Sequence, residues 1–318
     1  MQILTKEELQ DRLLQYMNGD GTHGEPNTWD VSAIKDMSYL FNKCPTFNSP
    51  IDKWDVSKVT NMENMFRYAI KFNQSIEKWD VSRVTNMKGM FDKAVSFNQP
   101  LQEWPTHNVV NMYDMFNGAI SFNQPLEHTP HPDWKVIKKI FNKNNIPYDI
   151  TNCIFKYFFY GWNTTKVDNM SRMFNNATNF NQSINSWDAS NVTNIERMFC
   201  RAINFNQSLN SWDVSNVTKM CGLFCCAINF NQPLDSWDVS NVTIMSSMFC
   251  GAKTFNQPID SWDVSNVTKM GNMFCVAINF NQPIDSWIIT NVTNMAYMFC
   301  GATKFQPTNR FMGYVKCN

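Results

Sequence analysis

The sequence has little of what enzymes and nucleic-acid binders usually need. Only 4 histidines occur in 318 residues, and 27 basic side chains are balanced by 27 acidic ones. A duplex-binding protein carries a basic excess to neutralise phosphates, and none is present. No run reaches the roughly 18 apolar residues of a membrane helix. The longest, IFKYFFYGW (154–162), is interrupted by Lys156. The opening MQILTKEELQDRLLQ places Glu7, Glu8 and Asp11 where a secretory signal needs an apolar core. These absences predict an intracellular chain with no membrane segment, whose 10 cysteines are thiols rather than a disulfide framework. Nucleophile-elbow, phosphate-loop and dinucleotide-binding motifs are missing as well. No catalytic residue, cofactor or metal is therefore expected. Charge also thins along the chain: residues 1–161 hold 35 charged side chains and residues 162–318 hold 19. Asn, Ser and Thr replace them on the later surface.

What is present is a repeat. Tryptophans fall at 29, 54, 79 and 104, and again at 162, 187, 212, 237, 262 and 287, with a spacing of 25 inside each group. Counting from the tryptophan as position one, the unit reads W-D-V-S-N-V-T-N-M-x-x-M-F-x-x-A-x-x-F-N-Q-P-(L/I)-x-x. Positions thirteen and nineteen hold 20 of the 25 phenylalanines, and positions nine and twelve hold 17 of the 20 methionines. In the unit that starts at Trp237, WDVS alternates as a short strand does, with Trp237 and Val239 inward and Asp238 and Ser240 outward. Val242, Met245, Met248 with Phe249, and Ala252 recur at three- and four-residue steps, which predicts a short helix capped by Thr243. Phe255 closes the core. A lone unit buries too little to offset roughly 1–2 kcal/mol of backbone entropy per residue, so stability must come from stacking neighbours.

The spacing L-x-x-W-x-V-x-x-V-x-x-M-x-x-M-F-x-x-A-x-x-F resembles the BspA-type leucine-rich repeats, and within them the 25-residue FNQPL…WDVSNVTNM…MF subfamily. Members occur as bacterial surface proteins and as large arrays in protists and giant viruses. The resemblance covers residues 26–126 and 160–307. It implies an α/β solenoid: a leucine-rich-repeat-like curved array with short strands on one face and short helices on the other. It implies adhesion or protein binding rather than one biochemical activity.

The expected organisation is an N-terminal cap helix and linker (1–25), repeats 1–4 (26–126), a degenerate repeat or insertion (127–161), repeats 5–10 (162–307) and a C-terminal cap (308–318). This makes 10 clear repeats plus one degenerate repeat, for which Trp134 is the candidate remnant. The cap helix, read at 3–18, has a capping box in Thr5 and Glu8 and a staple in Leu4 and Leu9. Leu9, Leu13, Leu14 and Met17 are its buried face, and Asn18-Gly19 its end. The segment IPYDITNCIFKYF (146–158) resembles the opening of an F-box, which implies pairing with ubiquitin-ligase adaptors. His128-x-x-His131 with Asp133 reads as a loop rather than a metal site.

Three polar columns stand out. Aspartate follows the tryptophan at 30, 55, 80, 188, 213, 238 and 263. Asp188, Ser190, Asp213, Ser215, Asp238, Ser240, Asp263 and Ser265 would line a concave strand face open to a partner. Alternatively each carboxylate accepts an N–H two or three residues on, as an Asx-type turn. Asn48, Asn73, Asn98, Asn123, Asn181, Asn206, Asn231, Asn256 and Asn281 predict a buried ladder that bonds the backbone of adjoining turns. Cys200, Cys225, Cys250, Cys275 and Cys300 share one near-surface column, with Cys221 and Cys226 beside it. They read as drift among duplicated units, or else as a metal or redox row. The function expected is a non-enzymatic, monomeric scaffold that binds an unknown protein partner through its strand face. A ubiquitin-ligase substrate adaptor and a surface adhesion protein are the alternatives; neither nucleic acid nor membrane is an expected partner.

Overall fold

A capping box opens the only α-helix among the described residues. The computed structural model describes residues 4–127, 162–307 and 311. Helix α1 spans Lys6–Met17. Thr5 Oγ1 accepts from Glu8 N at 3.2 Å, and Glu8 Oε2 accepts from Thr5 N at 2.8 Å. Leu4, Leu9 and Leu13 are buried, but Leu14 is 56% exposed. Tyr16 and Met17 pack on the core in its place. The helix lies against the first unit: Leu4 N donates to Asp30 O, and Lys6 Nζ reaches Asp36 Oδ2 at 2.9 Å.

The ten units are stacked as rungs. Position-thirteen phenylalanines lie nearly parallel from one unit to the next. The ring centroids are 5.6 Å apart for Phe66–Phe91, 5.7 Å for Phe199–Phe224 and 5.6 Å for Phe249–Phe274. Within a unit, Phe224 also stacks on Phe230 at 3.8 Å. Offset stacking of this kind adds to simple area burial. From the second unit on, each repeat indole N–H is satisfied across the rung boundary: Trp237 Nε1 donates to Leu209 O, and Trp262 Nε1 to Leu234 O, both at 3.0 Å. A buried indole without such an acceptor would lose the hydrogen bond it makes in water.

The short helices expected in each unit do not form, and neither does a strand along W-D-V-S. No strand longer than one bridged residue occurs among the described residues. The parallel bridges run instead through position eight, from Asp36↔Asn61 to Lys269↔Asn294. From there the chain alternates two kinds of amide bond. Phe224 N donates to Met248 O on the next rung at 2.8 Å, whereas Leu223 N turns back to Met220 O at 3.2 Å. Backbone φ is positive at positions eleven and fifteen of all ten units, for example Ser247 (58°) and Gly251 (71°). A positive φ at the third residue of four, closed by an i→i+3 bond, is the signature of a type II turn. The apolar spacing that suggested a helix is therefore the spacing of consecutive turns. Thr243 is not a helix cap: its N and its Oγ1 both donate to Thr218 O, at 3.0 and 3.2 Å. The in-and-out reading of the side chains holds, with Trp237 and Val239 buried and Asp238 exposed.

The units at Trp104 and Trp162 are immediate neighbours. Asn111 bridges to Asn169, Phe116 stacks on Phe174 at 5.7 Å, and Phe116 N donates to Met173 O at 2.9 Å. No eleventh rung stands between them. The degenerate repeat proposed around Trp134 lies outside the described residues, as do the F-box-like stretch and His128, His131 and Asp133. The chain leaves the stack after Leu126, whose backbone oxygen still accepts from Trp187 Nε1. Deleting residues 128–160 would leave Leu126-Glu127-Gly161-Trp162 and restore the 25-residue step. The shortened chain is expected to melt cooperatively at the same or a higher temperature, because a loop closure is removed. Loss of the cooperative transition would contradict the continuous stack.

Val276 is a β-branched residue at φ 58°, where Asn176 stands at 57° in another rung. A left-handed L-residue costs roughly 1–2 kcal/mol, and Asn tolerates it best after Gly. Val276→Asn should therefore raise stability in urea by about 1 kcal/mol.

Candidate functional site

The aspartate column sits on the V-x-x-V turn, not on the bridged side of the rungs. Val239 and Val242 close that turn, with Val242 N donating to Val239 O at 2.9 Å. The preceding aspartate folds back onto the turn. Oδ1 of Asp188, Asp213, Asp238 and Asp263 accepts from the N–H of Ser190, Ser215, Ser240 and Ser265 at 2.9–3.0 Å. Asp30, Asp55 and Asp80 do the same to Ser32, Ser57 and Ser82. Asn163, which replaces aspartate in its unit, accepts from Thr165 N at 3.0 Å. These are Asx turns, so the column has a structural duty in every rung that carries it. Serine hydroxyls, and then the serine N–H groups, hold the carboxyls of Asp30, Asp55, Asp213 and Asp263 below the ordinary carboxylate range.

The two groups of rungs differ in what stands beside this column. In the first, Lys58 and Arg83 occupy position five, and Lys58 attracts both Asp30 and Asp55. In the second, position five is Lys166 in the first rung, beside Asn163, and then Asn191, Asn216, Asn241, Asn266 and Asn291. Asn216, Asn241 and Asn266 donate Nδ2 to the serine carbonyl one rung back at 2.7 Å. Asp188, Asp213, Asp238 and Asp263 are all exposed, one rung apart, with asparagine at position five of each of their own rungs; the cation of that column, Lys166, stands one rung earlier and bonds Asn108 Oδ1.

The asparagine column after the second phenylalanine is a ladder. Asn206 Oδ1 accepts from Asn231 N at 2.9 Å and from Gln232 Nε2 at 3.1 Å. The same backbone bond links Asn48 to Asn73, Asn98 to Asn123, Asn181 to Asn206 and Asn256 to Asn281. It also crosses the interruption, from Asn181 N to Asn123 Oδ1 at 2.9 Å. These side chains are half-exposed rather than buried, with Asn48 and Asn281 exposed. They satisfy amides that the turns leave free on the outer wall.

In the cysteine column, Cys200, Cys225, Cys250 and Cys275 are free and half-exposed, whereas Cys300 is disulfide-bonded. Four cations escaped the sequence reading: Lys93, Arg172, Arg197 and Arg201 share one groove with Cys200 and Cys225. They occupy positions eleven and fifteen, the left-handed corners that flank the cysteine at position fourteen. Among the described residues no set of three or more His, Cys, Asp or Glu comes together as a metal would require, and no helix is long and apolar enough to cross a membrane.

A family model described as "Mycoplasma protein of unknown function, DUF285" matches residues 14–129, 135–246 and 226–313. The chain belongs to this family. Its matches take in both groups of rungs, as a repeat family should. No curated protein matches the chain. DUF285 membership thus identifies a repeat protein and leaves its activity to the geometry.

Two outcomes follow for this DUF285 chain. Asn206→Ala strips the acceptor from two donors and should cost about 1–3 kcal/mol in urea unfolding. Asn206→Asp keeps the acceptor and should recover most of that. Asp213 and Asp263 have lowered folded pKa values, so their contribution is present above the ordinary carboxylate range and disappears as pH falls through the depressed values. Thermal melts from pH 7 down to pH 2 should show that acid loss, and Asp213→Asn with Asp263→Asn should lessen it.

Proposed function

We propose that the chain is a non-enzymatic scaffold for protein–protein interaction: a leucine-rich-repeat-like solenoid, built of turns, of the BspA-type 25-residue subfamily. Its binding face is the row Asp188, Asp213, Asp238 and Asp263 with the intervening serines, and its partner is a protein with a basic surface. One observation carries the reading: four exposed carboxylates follow one another rung by rung, each with an asparagine and not a cation at position five of its own rung. One oxygen of each serves the Asx turn, which leaves the second to face solvent. A row of like charges held at strand spacing is repulsive on its own. Basic groups of a partner would relieve that repulsion and be guided to it over a distance set by salt.

Changing all four aspartates to asparagine separates charge from structure, because Asn163 already makes the same turn. The variant should keep the circular dichroism and melting of the parent. Its affinity for a lysine-rich peptide at low salt should fall roughly tenfold or more, and it should lose the basic proteins that the parent captures from a host extract. A folded variant that binds as the parent does would remove the reading.

A further inference from the structure

The cysteine row and the cationic groove meet at one place. Cys225 and Cys250 are held in the inter-rung backbone ladder, where Arg201 N donates to Cys225 O at 2.7 Å and Cys226 N to Cys250 O at 2.6 Å. Rungs at strand spacing, about 5 Å, fall within the roughly 4.4–6.8 Å between Cα atoms that a disulfide spans. Cys226 Sγ lies 3.9 Å from Cys225 Sγ. Cys200 and Cys225 open on a groove of about 510 Å³ that Lys93, Arg172, Arg197 and Arg201 also line. Arg172 is paired with Asp114 at 3.2 Å and Arg197 lies 3.8 Å from Glu196. Arg201 has no carboxylate within ion-pair reach among the described residues. Such a lining opposes a metal cation and favours an anion.

We propose that Cys225 exchanges with an anionic low-molecular-weight disulfide bound in this groove, and that Cys200 resolves the mixed disulfide. The Cys225 thiolate attacks one sulfur of the incoming disulfide, forms a Cys225–S–S–R bond and expels RS⁻. Cys200 then gives its proton to the expelled thiolate and attacks the Cys225 sulfur, so that a Cys200–Cys225 bond forms and the second RS⁻ departs, to be protonated by solvent. The incoming disulfide is the oxidant: two protein thiols become one disulfide and two RSH are released.

The electrostatics favour this order. The thiols of Cys200 and then of Cys250 on the adjoining rungs hold the Cys225 sulfur far below the ordinary thiol range, with Cys226 and Arg201 adding to them against burial. Cys200 is pushed up, first by the Cys225 sulfur beside it and then by burial, although Arg197 pulls the other way. Cys250 is pushed up in the same way, first by the Cys225 sulfur and then by burial, and Cys275 adds to it. Burial, then Cys225, push Cys226 up against Arg201 and Lys253, and burial, then Glu196, push Cys221 up against Arg197. Once Cys225 carries the mixed disulfide its negative charge is gone, and Cys200 is freed to ionise.

The test uses the full chain with its free thiols reduced, and two probes: the anionic dithiobis(nitrobenzoate) and the cationic cystamine. At pH 5 a fast phase should release both halves of the anionic probe and leave no label on the protein. Cys225→Ser should abolish that phase, and Cys275→Ser should not. Cys200→Ser should release one half and keep the other as a mass label. Arg201→Ala should slow the anionic probe by roughly tenfold or more while leaving cystamine unchanged. A fast phase that survives Cys225→Ser, a label-free product from Cys200→Ser, or equal slowing of both probes by Arg201→Ala would overturn the proposal. A peptide map joining Cys225 to Cys250 would overturn the assignment of Cys200. The last two variants keep the test open if Cys225→Ser does not fold.

Discussion

Amides at positions nine, eleven, thirteen and fifteen of a unit have no carbonyl partner inside it. In eight of the ten units each finds one 24 residues ahead, as Met245 N does at Lys269 O and Phe249 N at Met273 O; across the interruption the step is 57, as from Phe116 N to Met173 O. Unpaired buried amides are costly, so this one pattern makes every rung depend on the next. It also forces the left-handed corners at eleven and fifteen, since only there can the chain turn back between successive inter-rung bonds. The stacked phenylalanine columns supply the burial, and the amide pattern sets the rung spacing at which those rings meet.

The surface columns divide according to what they are bonded to. Asn206, Asn216, Thr218 and their equivalents lace one rung to another and are occupied by that work. The aspartates make their bond within their own rung and leave charge facing outward. Side chains at positions eleven, fourteen and fifteen are bonded across rungs in the first group, as Arg67 to Asp92, Asn117 to Asp92 and Lys93 to Tyr68 are, whereas from Cys200 onward position fourteen is a row of cysteines. At the left-handed corners the chain varies, as Gly89 and Ser247 at one corner and Arg201 and Val276 at the other illustrate. The two candidate sites lie on the aspartate column and on the later part of column fourteen, one acidic and one a thiol row among cations.

Much of this was legible in the unit from Trp237. Its buried set was readable, because the Trp and Phe columns repeat without exception and the Val and Met columns with few substitutions. The Asx turn was readable as an alternative once Asn163 was seen to substitute for aspartate. The local backbone was misread. Type II turns place apolar residues three apart, and a helix places them three and four apart, so the pairs Met245–Met248 and Phe249–Ala252 fit both. Only the carbonyl that each amide reaches separates the two, and that carbonyl belongs to another unit. The interruption was misread for a related reason: a 58-residue step can be counted as two units with an excess of eight or as one unit with an excess of 33. The Phe116–Phe174 stack decides for the second.

The sequence by itself determined the 25-residue period, the identity of the core columns and the capping box of α1. Each of these depends on side-chain chemistry or on contacts within a few residues. The tertiary structure alone decided turn over helix, the contact between the rungs at Trp104 and Trp162, and the convergence of Arg201 and Arg197 on Cys225 and Cys200. Those outcomes depend on which segment supplies the missing hydrogen-bond partner, and the partner is a whole rung away or, across the interruption, more than two units along the chain.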